Sequence, residues 1–142
     1  MTQSLDLPPT LSVLFLFRHM SDQVGARISA MRPDLTPNDI SLLLHLNAPR
    51  RMKELAEMMT CLPSNVTPLV TRAEARGWVR KDRSATDARA VDVTLTEAGQ
   101  NLRAEVIALI SAEVQAVTGL TEAQALRVLE VMQAEAASTA AQ

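Results

Sequence analysis

Apolar residues recur at helical spacing along most of the chain, so the sequence predicts a mainly helical protein. The first long helix is predicted from Leu11 to Met31, and Pro33 ends it. Val13, Leu16 and Phe17 make this helix apolar on nearly every side. A helix of that kind is buried on more than one face, which in a small protein indicates a subunit interface.

Two shorter helices are predicted next. Thr36, Pro37 and Asp39 form a start signal, with a cap residue, a proline at the first helical position and an acid three residues after the cap. That helix is predicted from Pro37 to Leu46, and the following one from Arg51 to about Met59. The methionines in the second of these helices are interpreted as core filler.

The stretch from residue 63 to residue 89 predicts a helix, a glycine stop and a hairpin. The helix runs from Pro63 to Arg76, and Gly77 ends it, because a left-handed residue after the last turn satisfies the free carbonyls at little steric cost. A strand begins at Trp78, and the segment from Val91 to Leu95 alternates apolar and polar residues as its return partner.

Two more helices are predicted after the hairpin. Thr96 caps a long helix that stops at Gly119, and Thr121 opens a last helix that we expect to fray from Ala136. The outer helices have more apolar surface than so small a core can cover, which predicts a dimer. The predicted fold class is mainly α (α+β): a winged helix-turn-helix with a two-stranded wing in residues 35–99, an N-terminal dimerisation helix in residues 1–34 and C-terminal dimerisation helices in residues 100–142.

Composition narrows the classes of function. Aromatic residues make up only 2% of the 142 residues, which argues against a carbohydrate platform or a base-stacking single-strand binder. The single cysteine excludes an internal disulfide and zinc-finger spacing. No signal peptide is recognisable, and the apolar run from Leu11 to Phe17 is shorter than the roughly 20 residues that a bilayer requires. We expect a cytoplasmic protein that does not enter a membrane.

Charge is distributed unevenly along the chain. Residues 50–90 contain nine Lys/Arg and five Asp/Glu, a net charge of +4, whereas the rest of the chain carries −6. A local field rather than the total charge of −2 steers a polyanion to a surface, so this distribution favours nucleic acid as a partner. The alternative is an ordinary solvated charged face.

Catalytic and metal-binding motifs are missing from the sequence. It contains no Ser/His/Asp set, P-loop or paired-carboxylate motif, so we expect neither an enzyme nor a cofactor. His19 and His45 are too few and too isolated for a metal site, and core or interface roles are expected for both.

Four runs in this order resemble the MarR family of bacterial transcriptional regulators: LTPNDISLLLHL, MKELAEMM, PSNVTPLVTRAEARGWVRK and DRSATDARAVDVTLTEAGQNL. The resemblance covers roughly Leu35 to Leu102. It implies a homodimer, most often a repressor, that binds double-stranded DNA at a palindromic operator. The helix Pro63 to Arg76 would enter the major groove, and the wing would reach a flanking minor groove.

Candidate DNA contacts follow from residue type and from this resemblance. Asn65 ranks first for base contact because its amide can pair with adenine in two places. By analogy with the family, Arg89 is the minor-groove arginine and Asp87 holds its guanidinium or a neighbouring arginine; the alternative is a turn salt bridge of little consequence. The full set of predicted contacts is Lys53, Ser64, Asn65, Thr67, Thr71, Arg72, Arg76, Arg83, Asp87 and Arg89. Lys53, Arg72 and Arg76 are expected at phosphates.

The predicted recognition helix departs from the usual pattern at its start and in its middle. Leu62 stands where a capping serine or aspartate is expected, and Pro68 loses a backbone hydrogen bond and should kink or widen the helix. The Thr-Pro-Leu sequence here is similar to the organic-hydroperoxide-sensing branch of the family, whose cysteine lies in the first helix. In this chain Cys61 precedes the recognition helix, and it is either a redox switch or a small apolar residue packed under that helix.

The resemblance also implies a small, often aromatic, effector between the dimer helices and the DNA-binding lobe. The lining residues expected from the sequence are Phe15, Phe17, Arg18, His19, Met20, Leu44 and His45. Two rival functions remain: a winged helix that binds a partner protein instead of DNA, and a constitutive regulator without a ligand.

Overall fold

The computed structural model describes residues 7–140 and shows six helices and three strands within that range. In chain order they are α1 (Pro9–Met31), α2 (Pro37–His45), β1 (Arg50–Arg51), α3 (Met52–Met58), α4 (Pro63–Ala75), β2 (Val79–Arg83), β3 (Val91–Leu95), α5 (Glu97–Thr118) and α6 (Glu122–Ala140). The outermost ends of the two predicted terminal segments, residues 1–6 and 141–142, lie outside the described residues. The predicted fold class, a mainly helical winged helix-turn-helix, is confirmed.

The sheet differs from the prediction by one strand. Its order is β1-β3-β2, all antiparallel, with Arg51 opposite Asp92 and Val79 opposite Leu95. The predicted two-stranded wing is present as β2 and β3, and β1 adds a third strand that the sequence does not predict. Two consecutive arginines give no alternation of apolar and polar positions, so β1 had no sequence signal. The prediction of fraying from Ala136 was also wrong, since α6 continues to Ala140.

The chain divides into two compact units. We call Gly25–Ile110 the lobe, and the segments before Gly25 and after Ile110 the terminal unit. The lobe has an aliphatic core in which each side chain exposes less than a tenth of its surface. Its fully buried members include Leu42, Leu43, Leu55, Val66, Val70 and Val93. The predicted functional boundaries, after residues 34 and 99, remain predictions.

The terminal unit has no comparable core. Among its residues whose burial the structure describes, none is buried. Large apolar side chains of α1 and α6 are instead exposed, by 47% at Phe15, 64% at Leu14, 51% at Leu129 and 65% at Val131. The all-round apolar pattern predicted for α1 is therefore present as exposed surface.

Caps fix the ends of the lobe helices. The Thr36 side chain accepts a hydrogen bond from the Asp39 N–H, and the Asp39 carboxylate accepts one from the Thr36 N–H, so the predicted start of α2 is confirmed. At the end of α4, Gly77 has a φ of +76°, and Trp78 N–H donates to the Ala73 carbonyl over 3.0 Å. This is the left-handed glycine stop predicted from the sequence.

A close backbone approach joins the end of α4 to the start of α5. The Thr96 hydroxyl accepts from Gly99 N–H over 3.1 Å, as predicted for a cap, and donates to the Gly77 carbonyl. A Cβ placed on Gly99 would collide with the carbonyl oxygen of Trp78. Only glycine fits here, and the wing is thereby held at a fixed distance from α5.

Within the described residues, no single helix is long and apolar enough to cross a membrane, and only α5 and α6 taken together, across a sharp bend, reach that length and composition.

Candidate nucleic-acid interface

The turn between α3 and α4 is tight and strained at one residue. Thr60 has a φ of +52°, and its N–H donates to the Glu57 carbonyl over 3.2 Å. Cys61 N–H donates to the Ala56 carbonyl over 3.0 Å. This pattern is a helix stop normally made by glycine, and a β-branched residue in the left-handed region is strained. The turn therefore sets the direction in which α4 leaves α3.

The start of α4 lacks a side-chain cap, as the sequence indicated. Leu62 is the cap residue and makes no side-chain hydrogen bond, whereas Pro63 occupies the first helical position. A proline there has no N–H to leave unsatisfied, so it compensates in part for the missing cap. Ser64 and Asn65 in this first turn are exposed.

Pro68 does not break the helix. α4 is one continuous helix from Pro63 to Ala75 and includes the proline. Two predicted DNA contacts bond the backbone one turn earlier: the Thr67 hydroxyl donates to the Pro63 carbonyl over 3.3 Å, and the Thr71 hydroxyl donates to the Thr67 carbonyl over 2.9 Å. Both threonines are exposed.

The two faces of α4 are chemically distinct. The inner face buries Val66, Leu69, Val70 and Ala73 in the lobe core. The outer face exposes the small polar residues Ser64, Asn65, Thr67 and Thr71. A helix with an anchored apolar face and an exposed polar face suits insertion into a major groove.

The buried carboxylate of Asp39 binds the side chain of Arg72 at the surface of the lobe. Nη2 of Arg72 donates to Asp39 Oδ1 over 2.8 Å; the Arg72 side chain is 47% exposed and that of Asp39 only 1%. The other carboxylate oxygen, Oδ2, accepts from the N–H and the hydroxyl of Thr36 over 2.9 and 2.7 Å. Burial raises the pKa of Asp39, but the hydrogen bonds from Arg72 and Thr36 outweigh it, so the pKa lies below its ordinary value.

The sequence identifies Asp39 only as part of a helix start and predicts Arg72 at a phosphate. The two residues are 33 positions apart, and no spacing rule connects them. Arg76 is also oriented within the lobe: its Nη1 donates to the Asp34 carbonyl over 3.0 Å, and its guanidinium lies 4.8 Å from the centroid of the Trp78 ring.

Asp87 organises the tip of the wing. Its Oδ1 accepts from the Arg89 N–H over 3.0 Å, and its Oδ2 lies 4.0 Å from Nη2 of Arg51 on β1. The carboxylate thus holds the backbone of Arg89 and faces a neighbouring arginine, the second of the two arrangements expected from the resemblance. The side chains of Arg83 and Arg89 are exposed.

Lys53 lies on the exposed side of α3, with its ammonium 4.0 Å from the Glu57 carboxylate and 85% of its side chain exposed. Cys61 is half-buried and packs against the lobe core, and both expected roles, a redox switch and a small apolar residue, stay predictions.

The predicted effector residues belong to different units. Phe15, Phe17, Arg18, His19 and Met20 lie in the terminal unit, whereas Leu44 and His45 lie in the lobe. His45 is engaged with its own helix, since Nδ1 lies 2.7 Å from the Ser41 carbonyl oxygen. The lobe contains a cleft of about 230 Å³, and none of the predicted effector residues lines it. Its lining residues are Leu46, Asn47, Ala48, Pro49, Thr94, Leu95, Gln100 and Arg103. The effector site stays a prediction.

In the described part of the chain, no three His, Cys, Asp or Glu residues are grouped as metal ligands.

Helices α3 and α4 joined by a tight turn, followed by the β2–β3 hairpin, are a winged helix-turn-helix, the reading module of DNA-binding transcriptional regulators. The family model described as transcriptional regulator SarA/Rot matches residues 28–106, which is more than half of the chain. The chain belongs to this family of transcriptional regulators.

Solved structures agree with this assignment. The YusO protein from Bacillus subtilis is 26% identical, with 89% of this chain and 91% of that chain covered and a TM-score of 0.59. AbsC, a MarR family transcriptional regulator from Streptomyces coelicolor, is 22% identical, with 98% and 100% covered and a TM-score of 0.72. Wild-type MarR from E. coli is 19% identical, with 92% and 97% covered and a TM-score of 0.72. The resemblance to MarR regulators is confirmed, and no curated protein sequence matches the chain.

Proposed function

We propose that two copies of this chain bind a palindromic operator and repress transcription from it. The observation that carries the proposal is the exposed polar face of α4, which is anchored from behind by Val66, Leu69 and Val70. In this arrangement the first turns of α4 meet base edges in the major groove, and Asn65 makes the most selective contact.

The wing supplies the second point of contact. Arg89 is exposed and its backbone is fixed by Asp87, so the guanidinium can extend into a minor groove from a defined position. Residues 50–90 carry a net charge of +4, from nine basic and five acidic residues, which attracts the phosphate backbone to the surface formed by α3, α4 and the wing.

Dimerisation is supported by the terminal unit. Its exposed apolar side chains, such as Leu14 and Val131, form surfaces that a second copy would remove from water. Two recognition helices separated by about 34 Å would then fit successive major grooves on one face of DNA. A solved structure similar to this chain is that of the multiple antibiotic resistance repressor, MarR, which favours repression over activation. A regulator of bacterial type would act in the cytoplasm, where the chromosome lies.

Binding-site selection from a random-sequence duplex library tests the proposal. We expect a palindromic sequence to be enriched, and the affinity for it to fall steeply as salt is raised, because each phosphate contact contributes a slope of about −0.9 in log K against log salt. The rival, a protein-interaction module, predicts no enrichment and no salt-dependent affinity.

Release by a small aromatic effector is part of the proposal because the family resemblance implies it. Titration of the selected complex with a panel of small aromatic compounds tests it, and a complex that none of them dissociates would favour the constitutive regulator.

A further inference from the structure

We propose that Asp39 is a positioning residue for the recognition helix and acts through Arg72, which for this reason is not one of the phosphate contacts. The inference rests on the proposed function, since it concerns how α4 is presented to DNA. It reassigns Arg72, which the sequence placed at a phosphate, from a contact with DNA to a contact with the protein.

The carboxylate of Asp39 has a fixed position. One oxygen accepts from two groups of Thr36, the cap of α2, and only 1% of the side chain is exposed. The N-terminal end of a helix also stabilises a negative charge. Asp39 is therefore part of the rigid start of α2 and presents its remaining oxygen, Oδ1, toward α4.

Arg72 connects this fixed point to the recognition helix. Its Nη2 lies 2.8 Å from Asp39 Oδ1. The apolar inner face of α4, made by Val66, Val70 and Ala73, sets the rotation of the helix about its axis only through contacts that are not directional. A hydrogen-bonded charge pair has a directional geometry and can define that rotation.

A phosphate contact that draws Nη2 of Arg72 away from Asp39 competes with this arrangement. If the guanidinium turned toward DNA, Asp39 would be left as a buried carboxylate without its cationic partner, which is strongly unfavourable. Arg76 differs, because its polar contact is to the neutral carbonyl of Asp34. The two arginines of α4, four residues apart, are thus expected to behave differently.

The test compares Asp39→Asn, Arg72→Met and their double variant in the full-length chain, using a duplex enriched from a random library by the wild-type protein and a random-sequence duplex as reference. Asparagine preserves the shape of Asp39 and removes its charge. Because Asp39 is buried and negative, its neutralisation cannot remove a DNA contact and should, by electrostatics alone, strengthen binding to a polyanion.

We expect each single variant to bind the enriched duplex about tenfold more weakly, with the dependence on salt unchanged and the affinity for the random duplex retained. The double variant should be no weaker than the weaker single variant, because both remove the same interaction.

The inference is overturned if Asp39→Asn binds as well as the wild type, if the single effects add, or if Arg72→Met lowers the salt slope by about one, as loss of a phosphate contact would. Should Asp39→Asn fail to fold by circular dichroism, the salt slope of Arg72→Met decides alone, since that side chain is half-exposed. A wild-type protein that enriches no duplex would instead overturn the proposed function itself, and this inference with it.

Discussion

The lobe and the terminal unit have similar proportions of apolar residues, but the lobe buries many of them and the terminal unit exposes them. Every buried residue of the described chain lies between Ile28 and Val106, within the lobe. In the terminal unit, α1 and α6 expose a series of large apolar side chains, of which Leu129 is 51% and Phe15 47% exposed. The lobe completes its core within one chain, whereas we expect the terminal unit to bury its apolar side chains against a second copy.

The difference arises from the patterns of the helices. In α4, buried residues recur at helical spacing between exposed polar ones; a side-chain cap begins α2 and a glycine stop ends α4. In α1, the run from Val13 to Phe17 is continuously apolar, so no single face can bury it. Substitutions in the two units should therefore have separable effects, on dimerisation in one and on folding or DNA contact in the other.

The largest effect is expected from a charge placed on α6. Leu129→Glu should convert the dimer to a monomer and weaken binding to the selected duplex by roughly 100-fold or more, because both half-sites can no longer be bound at once. Sedimentation analysis and DNA titration measure the two effects. Gln133→Glu, at an exposed polar position of the same helix, is the matched control and should remain dimeric. A dimeric Leu129→Glu would show that this face is not the interface.

Gly99→Ala should destabilise the lobe by about 1–3 kcal/mol, because the added methyl group collides with backbone that cannot move away easily. Urea denaturation gives the free energy of unfolding. Gly25→Ala is the control: it lies in α1 with no atom within 4 Å of the added Cβ, and should stabilise the helix by roughly 0.5–1 kcal/mol. Equal effects of the two substitutions would contradict the close approach.

Removal of the wing arginine should weaken DNA binding without affecting the fold. Arg89→Ala is expected to reduce affinity for the selected duplex about tenfold, and to lower the salt slope by about one if the guanidinium lies among phosphates in the minor groove. Arg127→Ala, at an exposed position of α6, should leave affinity unchanged. Equal affinities for Arg89→Ala and the wild type would favour the protein-interaction alternative.

Acid should weaken the lobe through Asp39. Its pKa is lower in the folded than in the unfolded chain, where it is near 3.8, so the carboxylate stabilises the fold above that pH and the stabilisation is lost as pH falls through the folded pKa. Thermal unfolding at pH 7 and pH 3 should show a smaller loss of Tm for Asp39→Asn than for the wild type. The same pH dependence in both proteins would argue against a native Asp39 carboxylate with a lowered pKa.

The smallest effect is expected at the turn before α4. Thr60→Gly should stabilise the lobe by roughly 1 kcal/mol, because glycine adopts the φ of +52° without strain. Urea denaturation measures this change. Thr118→Gly, in the last turn of α5 with ordinary helical backbone, should instead be destabilising.

Local signals in the sequence were sufficient for much of the lobe. Thr36, Gly77 and Thr96 predicted helix ends correctly because capping depends on residues close in sequence. The Asp39–Arg72 pair and the pairing of β1 with β3 were missed because they join distant segments and leave no periodic pattern. The polar residues of α4 could be placed on its outer face from their spacing, but the effector residues could not be assigned to one site.

The most direct test of the account is the affinity of the wild-type protein for its selected duplex compared with the same duplex in which one half-site is scrambled. We predict two chains bound per intact duplex and an affinity at least 100-fold lower after scrambling, as expected when linked half-sites bind together. One chain bound per duplex, or equal affinities for the two duplexes, would contradict a dimeric reader of palindromic DNA.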